Sequence, residues 1–414
     1  MKIKLFVLAL ILFGASSIIN GQERPQRAQG MAQGRAGQME RPKFVFFFIG
    51  DGMGMSQISM AEAYLSSQKG EIANEALSFT KFPVLGMVTT FSANSYITCS
   101  SAAGTALSTG FKTDNGKLGV DPNGDKLTSF TYKLKESGIP VGITSNVTID
   151  HATPAAFYAN SISRNNYYEI ALQLPKSGFD FFGGGGFIQP TGPDKDKRDI
   201  YSILEEGGYT IARGVNDYIS KKGPKKMALF QDKGKEGPLP YAIDRSATDL
   251  TLKQVVAVAI DHLYGTKGFF IMAEGGKIDW AGHSKDGKTN ILEVLDFADA
   301  VEVAFQFYQK YPNETLIIVT SDHETGGMSL GSDRGYELKL GELGSQTSSM
   351  EINKDSVAVY SELNSKARIG WTTTSHTGVA VPVYAIGPGS RLFSGRMDNT
   401  DIPKRIMRLL GLEL

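Results

Sequence analysis

Apolar and polar positions along the chain follow two periods, and stretches of each alternate. Residues 44–49 read Phe-Val-Phe-Phe-Phe-Ile without a polar break. A continuous apolar run of that length predicts a strand buried on both faces. Residues 84–90, 140–144, 269–273, 316–320 and 381–386 carry the same signal more weakly. Pro382 lacks a ladder donor, which places the last of these at a sheet edge. Between the strands lie stripes at helical spacing. One is Leu127, Phe130 and Leu134, with Gly138 as its stop. Another is Tyr167, Ile170, Ala171 and Leu174, ended by Pro175. The clearest are Leu252, Val255, Val256, Ala259, Ile260 and Leu263, then Ile291, Val294, Ala298, Val301, Phe305 and Tyr308. Ile402, Ile406, Leu409 and Leu410 predict a closing helix. Strands alternating with helices predict an α/β fold, a mostly parallel central sheet with helices on both faces. Residues 187–245 are rich in Gly, Pro and Lys and read as a surface excursion. Residues 324–374 carry few strong patterns and are expected to cover the site. There is no internal repeat.

The N-terminal pattern differs. Lys2 and Lys4 precede an apolar run over residues 5–13 and small residues over 14–17. That order predicts a secretory signal, residues 1–21, and a periplasmic or secreted protein. Residues 22–41, rich in Gln, Arg and Gly, read as a disordered linker, and the folded domain spans 42–414. No apolar stretch is long enough for a membrane span. The formal net charge of +0 removes the electrostatic case for nucleic acid as a dedicated partner. Cys99 is the single cysteine, so no internal disulfide can form.

Candidate chemistry sits where strands end. Asp51 follows the first strand between Gly50 and Gly52, at the kind of edge where open α/β sheets bind ligands. Glu274 ends the 269–273 strand, with Asp279 and His283 close behind. Asp322 and His323 follow the 316–320 strand, and residues 148–153 follow the 140–144 strand. His376 lies in Ser375-His376-Thr377-Gly378, before the last strand. Asp279 and His283 are four apart, so on a helical turn they share one face. Carboxylates mixed with imidazoles suit zinc, whereas oxygen-only sets suit magnesium. Four of the five histidines fall in these segments; His262, within a helical stripe, reads as structural. Ser100 opens a small-residue segment, and a serine at a helix start exposes its hydroxyl beside free backbone N–H groups. Arg164 offers a fork suited to phosphate.

These residues together resemble the alkaline phosphatase family. The resemblance rests on Phe48-Ile49-Gly50-Asp51-Gly52-Met53-Gly54, residues 98–110, His151-Ala152-Thr153-Pro154-Ala155, residues 274–283, Thr320-Ser321-Asp322-His323 and His376-Thr377-Gly378. It implies that Asp279, His283 and His376 hold one zinc ion. It implies that Asp51, Asp322 and His323 hold a second, with Ser100 facing it. Asp51, Thr153 and Glu274 would hold one magnesium ion. Ser100 would be the nucleophile, forming a phosphoseryl intermediate on small-molecule phosphate monoesters and releasing inorganic phosphate. Arg164 would bind the phosphate oxygens, and a homodimer is compatible with the resemblance. Three positions depart from the family pattern. Cys99 replaces the usual Asp before the nucleophile, which deprives Arg164 of a carboxylate partner. His151 stands where some members have Asp, and Trp280 where others have Lys or His. Both can alter the magnesium site and the surroundings of phosphate. The alternatives are a phosphodiesterase of the same superfamily, a sulfatase using Cys99, and a metal-dependent phosphate binder without turnover.

Overall fold

The structure is a computed structural model and describes residues 41–414 except 233, 235–236, 266 and 333–334. The expected signal segment, and the expected linker apart from Arg41, lie outside the described residues. The strands are β1 Phe44–Gly50, β2 Val84–Thr89, β3 Val141–Thr148, β4 Phe181–Gly185, β5 Thr210–Arg213, β6 Met227–Phe230, β7 Phe269–Gly275 and β8 Thr315–Thr320. They continue with β9 Glu324–Thr325, β10 Met328–Leu330, β11 Ile369–Trp371, β12 His376–Thr377, β13 Val381–Ile386 and β14 Gly395–Asp398. Among the described residues, ten of them form one sheet in the order β14-β2-β13-β8-β1-β7-β3-β4-β6-β5. All neighbours in it run parallel except β13, which is antiparallel to both β2 and β8. The mostly parallel α/β fold expected from the pattern is the fold observed.

β1 sits in the middle, between β7 and β8. Its side chains alternate between two cores. Phe44, Phe46 and Phe48 pack with the helices Leu252–Leu263 and Gly287–Lys310. Val45, Phe47 and Ile49 pack with the helices Ser100–Thr109, Phe130–Glu136 and Asp401–Leu410. Helices therefore cover both faces, which is why the run has no polar position. Each fully buried aromatic contributes roughly 1.5–3 kcal/mol, so the ends of β1 are fixed by a stiff core. Among the described residues no helix is long and apolar enough to cross a membrane.

Four readings need correction. Residues 187–245 are not a mere excursion: β5 and β6 lie there and extend the main sheet, and Met227 to Phe230 are fully buried. Pro382 does not mark an edge. β13 is interior, but its ladder with β8 begins only at Tyr384, so the donor Pro382 lacks is not needed on that side. Its carbonyl accepts instead from the Thr320 hydroxyl at 2.9 Å. Pro175 does not end a helix; it occupies the first turn of a second short helix, Leu174–Ser177, where its missing N–H has no intrahelical partner to lose. Leu127 precedes its helix, because Ser129 caps the start by accepting from the Thr131 N–H.

One glycine sets the spacing of the sheet beside the acids. Gly184 has φ +138, and a Cβ there would lie 1.7 Å from the Ser145 carbonyl oxygen. Only glycine lets β4 come that close to β3 at the point where Ser145 faces Glu274 of β7.

Candidate active site

The C-terminal ends of the central parallel strands carry the functional groups. β1 delivers Asp51, whose N–H bonds the Gly275 carbonyl at the end of β7. β7 delivers Glu274, paired in register with Ile49 of β1 and Ser145 of β3. β8 delivers Asp322 and His323. The short helix Lys277–His283 turns Asp279 and His283 onto one face, Oδ2 to Nε2 at 3.3 Å. β12 brings in His376 by pairing antiparallel with β9. The helix Ser100–Thr109 begins at Ser100, with Cys99 in the extended conformation of an N-cap. Every metal-ligating candidate named from the sequence, together with Ser100 and Arg164, comes to this one region.

Hydrogen bonds settle the protons of the first cluster. His283 Nδ1 lies 2.7 Å from the Thr374 carbonyl and His376 Nδ1 lies 2.8 Å from the Thr98 carbonyl. A carbonyl only accepts, so each Nδ1 carries a proton and donates. In the neutral rings both Nε2 atoms are then lone pairs. They stand 3.2 Å apart and within 3.4 Å of the Asp279 carboxylate. Two lone pairs and a carboxylate aimed at one point repel unless a cation lies among them. Asp279 is buried, and His283 is the more open side of the cluster. Without a metal, the Asp279 carboxylate pulls His283 up to about 9, so a proton takes the cation's part. Burial opposes ionisation of Asp279, but hydrogen bonds from His283 and His376 hold it well below the usual carboxylate range.

The second cluster is fully buried. His323 Nε2 lies 3.3 Å from Asp51 Oδ1, 3.3 Å from Asp322 Oδ2 and 3.2 Å from Ser100 Oγ. The His323 and His376 rings stack at 3.6 Å, so the two clusters share a wall. In the third, ligand atoms of Asp51, His151 and Glu274 lie within 4.8 Å of one another. Thr153 Oγ1 donates to Asp51 Oδ2 at 3.4 Å, and Ser145 Oγ donates to Glu274. Among the described residues, Asp51 Oδ1, Glu274 Oε1 and Asp322 Oδ2 are buried with no hydrogen-bond donor. Such orphaned carboxylate oxygens are costly, and they fit metal ligation. Burial, then the neighbouring carboxylates, drives Asp51 far up; burial leads in raising Glu274 to about 8 and Asp322 to about 6. Burial and the charge on His376 push His323 well down. The donors thus fit a metal centre in number, type and electrostatics.

Arg164, His151 and Trp280 contact one another in turn, with Cys99 close by. Cys99 Sγ contacts Ser101 Oγ and the Gly116 N–H, both at 3.1 Å. Arg164 Nη2 instead meets His151 Nε2 at 3.2 Å. Burial, and then the charge of Arg164, pushes His151 down to about 3, so the ring is neutral and can accept from the guanidinium. The Trp280 ring stands edge-on to His151, centroids 5.6 Å apart. A histidine therefore holds the arginine. His262 lies against Phe181 and Tyr218, away from the clusters, as expected.

Sequence reasoning missed Ser145, because a hydroxyl inside a buried strand has no periodic signature; its register opposite Glu274 is the signal that identifies it. His151, named from the sequence as able to alter the magnesium site, lies beside Asp51 and Glu274.

Comparison with known proteins leads to the same place. The family model described as alkaline phosphatase matches residues 42–185 and 188–412. The chain is 32% identical to alkaline phosphatase 3 of Bacillus subtilis, over 98% of this chain and 96% of that protein. The crystal structure of a cold-active alkaline phosphatase from a psychrophilic Shewanella superposes with a TM-score of 0.79 at 31% identity, covering 89% of this chain and 99% of the other. A mutant of the TAB5 alkaline phosphatase, with Mg bound in its M3 site, superposes with a TM-score of 0.75 at 32% identity, covering 91% and 100%.

Proposed function

The chain belongs to the alkaline phosphatase family and is a metal-dependent phosphate monoester hydrolase, and we propose that it works through Ser100 at a centre of two zinc ions and one magnesium ion within a catalytic domain of residues 42–414. The observation that carries this reading is Ser100 Oγ, on the first residue of a helix, 3.2 Å from His323 Nε2 at the focus of the acids and imidazoles. Asp279, His283 and His376 would hold one zinc ion, and Asp51, Asp322 and His323 the other. Asp51, Thr153 and Glu274 would hold magnesium, since hard oxygens outnumber the single imidazole in reach. Bound there, the metals supply Lewis acidity to the phosphoryl oxygens and lower the pKa of a neighbouring hydroxyl.

The chain's own residues do the rest. Ser100 Oγ attacks phosphorus, its proton passing to solvent. The bond from phosphorus to the ester oxygen breaks, and the alcohol leaves after taking a proton from water. Water then attacks the phosphoserine and gives up a proton; the bond to Oγ breaks, Oγ takes a proton from solvent and inorganic phosphate is released. The phosphoryl group would sit on the first residue of the Ser100–Thr109 helix, whose N-terminal end favours an anion. Arg164, held by His151, binds two non-bridging oxygens in a forked pair. A diester has an alkoxy group in place of one of them, so it gains less from the guanidinium.

Export to the periplasm or beyond, and pairing as a homodimer, are part of the proposal. The first is supported by the apolar run behind Lys2 and Lys4, the second by family resemblance. N-terminal sequencing and sedimentation of protein from the producing cell test them; an uncleaved monomer retained in the cytoplasm counts against both.

Ser100→Ala is expected to abolish trapping of labelled phosphate on acid-quenched enzyme while leaving metal content within error of wild type. Phosphate still trapped on the variant would move the nucleophile to Thr98, Cys99 or Ser101. Arg164→Ser is expected to cost monoester kcat/KM about 10- to 150-fold, the worth of a charge-assisted pair of about 1.5–3 kcal/mol. Diester turnover should fall less. Equal losses on both substrates would remove Arg164 from phosphate recognition.

A further inference from the structure

Thr325 lies between the first and second clusters. It is fully buried, the second residue of β9. Its Oγ1 donates to Asp279 Oδ1 and also lies 3.2 Å from His323 Nδ1. A hydroxyl has one proton, and an ionised carboxylate can only accept, so that proton belongs to Asp279. Oγ1 is then left to accept, and the available donor is His323 Nδ1–H. The chain of bonds runs from His323 Nδ1–H to Thr325 Oγ1–H to Asp279. It fixes the His323 tautomer with its lone pair on Nε2, the nitrogen facing Asp51, Asp322 and Ser100.

The side chain has little freedom to turn away. A Cβ on Gly52 would lie 2.8 Å from Thr325 Oγ1, and one on Gly282 would lie 3.1 Å from its methyl carbon. Glycines at both positions let the chain close around this threonine. Its backbone is held as well. The Thr325 N–H bonds the Gly52 carbonyl at 3.1 Å, one residue past Asp51, and β9 pairs Thr325 with His376. The neighbouring Glu324 carboxylate accepts from Gln57, Thr377, Gly327 and Met328 and locks β9 in place.

We propose that Thr325 is a positioning residue that couples the two zinc sites: one hydroxyl orients a ligand of each, Asp279 in one and His323 in the other. This rests on the two-zinc reading of the site. Groups that orient metal ligands in this way typically account for 10- to 100-fold in metal affinity.

The test is zinc titration of the full chain against a chromogenic chelator, comparing wild type with Thr325→Val, which keeps the shape and the methyl contact but removes the hydroxyl. Thr325→Ala serves if the valine variant does not fold, as judged by circular dichroism. The expected result is that both zinc equivalents weaken about 10- to 100-fold and that Thr325→Ser restores both. Histidine-labelled nitrogen NMR of zinc-loaded protein should show one hydrogen-bonded Nδ1–H signal shifted in the valine variant. Two zinc equivalents bound with wild-type affinity in Thr325→Val would overturn the role. Weakening of a single equivalent would overturn the coupling, and failure of serine to rescue would reduce Thr325 to packing. Wild-type protein that binds no zinc would instead overturn the metal reading beneath it.

Discussion

Two imidazole lone pairs, held 3.2 Å apart beside a carboxylate, are the constraint on which the structure turns. Nothing in the local chain favours that arrangement. Each Nδ1 is committed to a backbone carbonyl, so neither neutral ring can turn its proton inward, and relief takes an added proton on His283 or a metal ion. The buried oxygens of Asp51, Glu274 and Asp322 face the same difficulty a few ångströms away. Metal binding repays this cost, and the protein must hold the groups together until it does.

The fold supplies that rigidity. Asp51 and Asp322 follow, and Glu274 lies at the end of, three adjacent parallel strands, and the middle strand is anchored in both cores by phenylalanine, valine and isoleucine. A loosely packed sheet would let the acids splay apart. The later histidines come from less regular segments and are tied back by specific contacts: His376 through the pairing of β12 with β9, His283 through one helical turn from Asp279. The Gly184 close approach serves the same end by seating Ser145 against Glu274. Core packing and site geometry are therefore one problem, and Thr325 stands where the two clusters meet.

Much of this was legible in the chain. Strands buried on both faces have a continuous apolar run, and β1, β7 and β8 could be read, together with the acids at their ends. The helices with strong stripes, such as Leu252–Leu263, were equally plain. Residues 187–245 were not, because β5 and β6 are four residues each and the turns around them dilute the pattern. Pro382 misled because a proline inside a sheet is tolerated where one ladder has not yet begun. The partner of Arg164 was hidden for a different reason. That His151 contacts Arg164 depends on how residues 151 and 164 meet in space, which no sequence pattern records. Thr325 has no pattern of its own; its role comes from a hydroxyl that meets Asp279, 46 positions before it, and His323, two positions before it.

That these converging donors hold cations is open to direct measurement. Anomalous diffraction at the zinc absorption edge, on crystals of the full chain grown with zinc and magnesium, tests it most directly. Two strong zinc peaks are predicted, one bounded by Nε2 of His283 and His376 with Asp279, the other by His323 Nε2 with Asp51 and Asp322. Zinc found only at other sites, or no peak at either cluster in crystals of protein that still hydrolyses phosphate monoesters, would contradict the account.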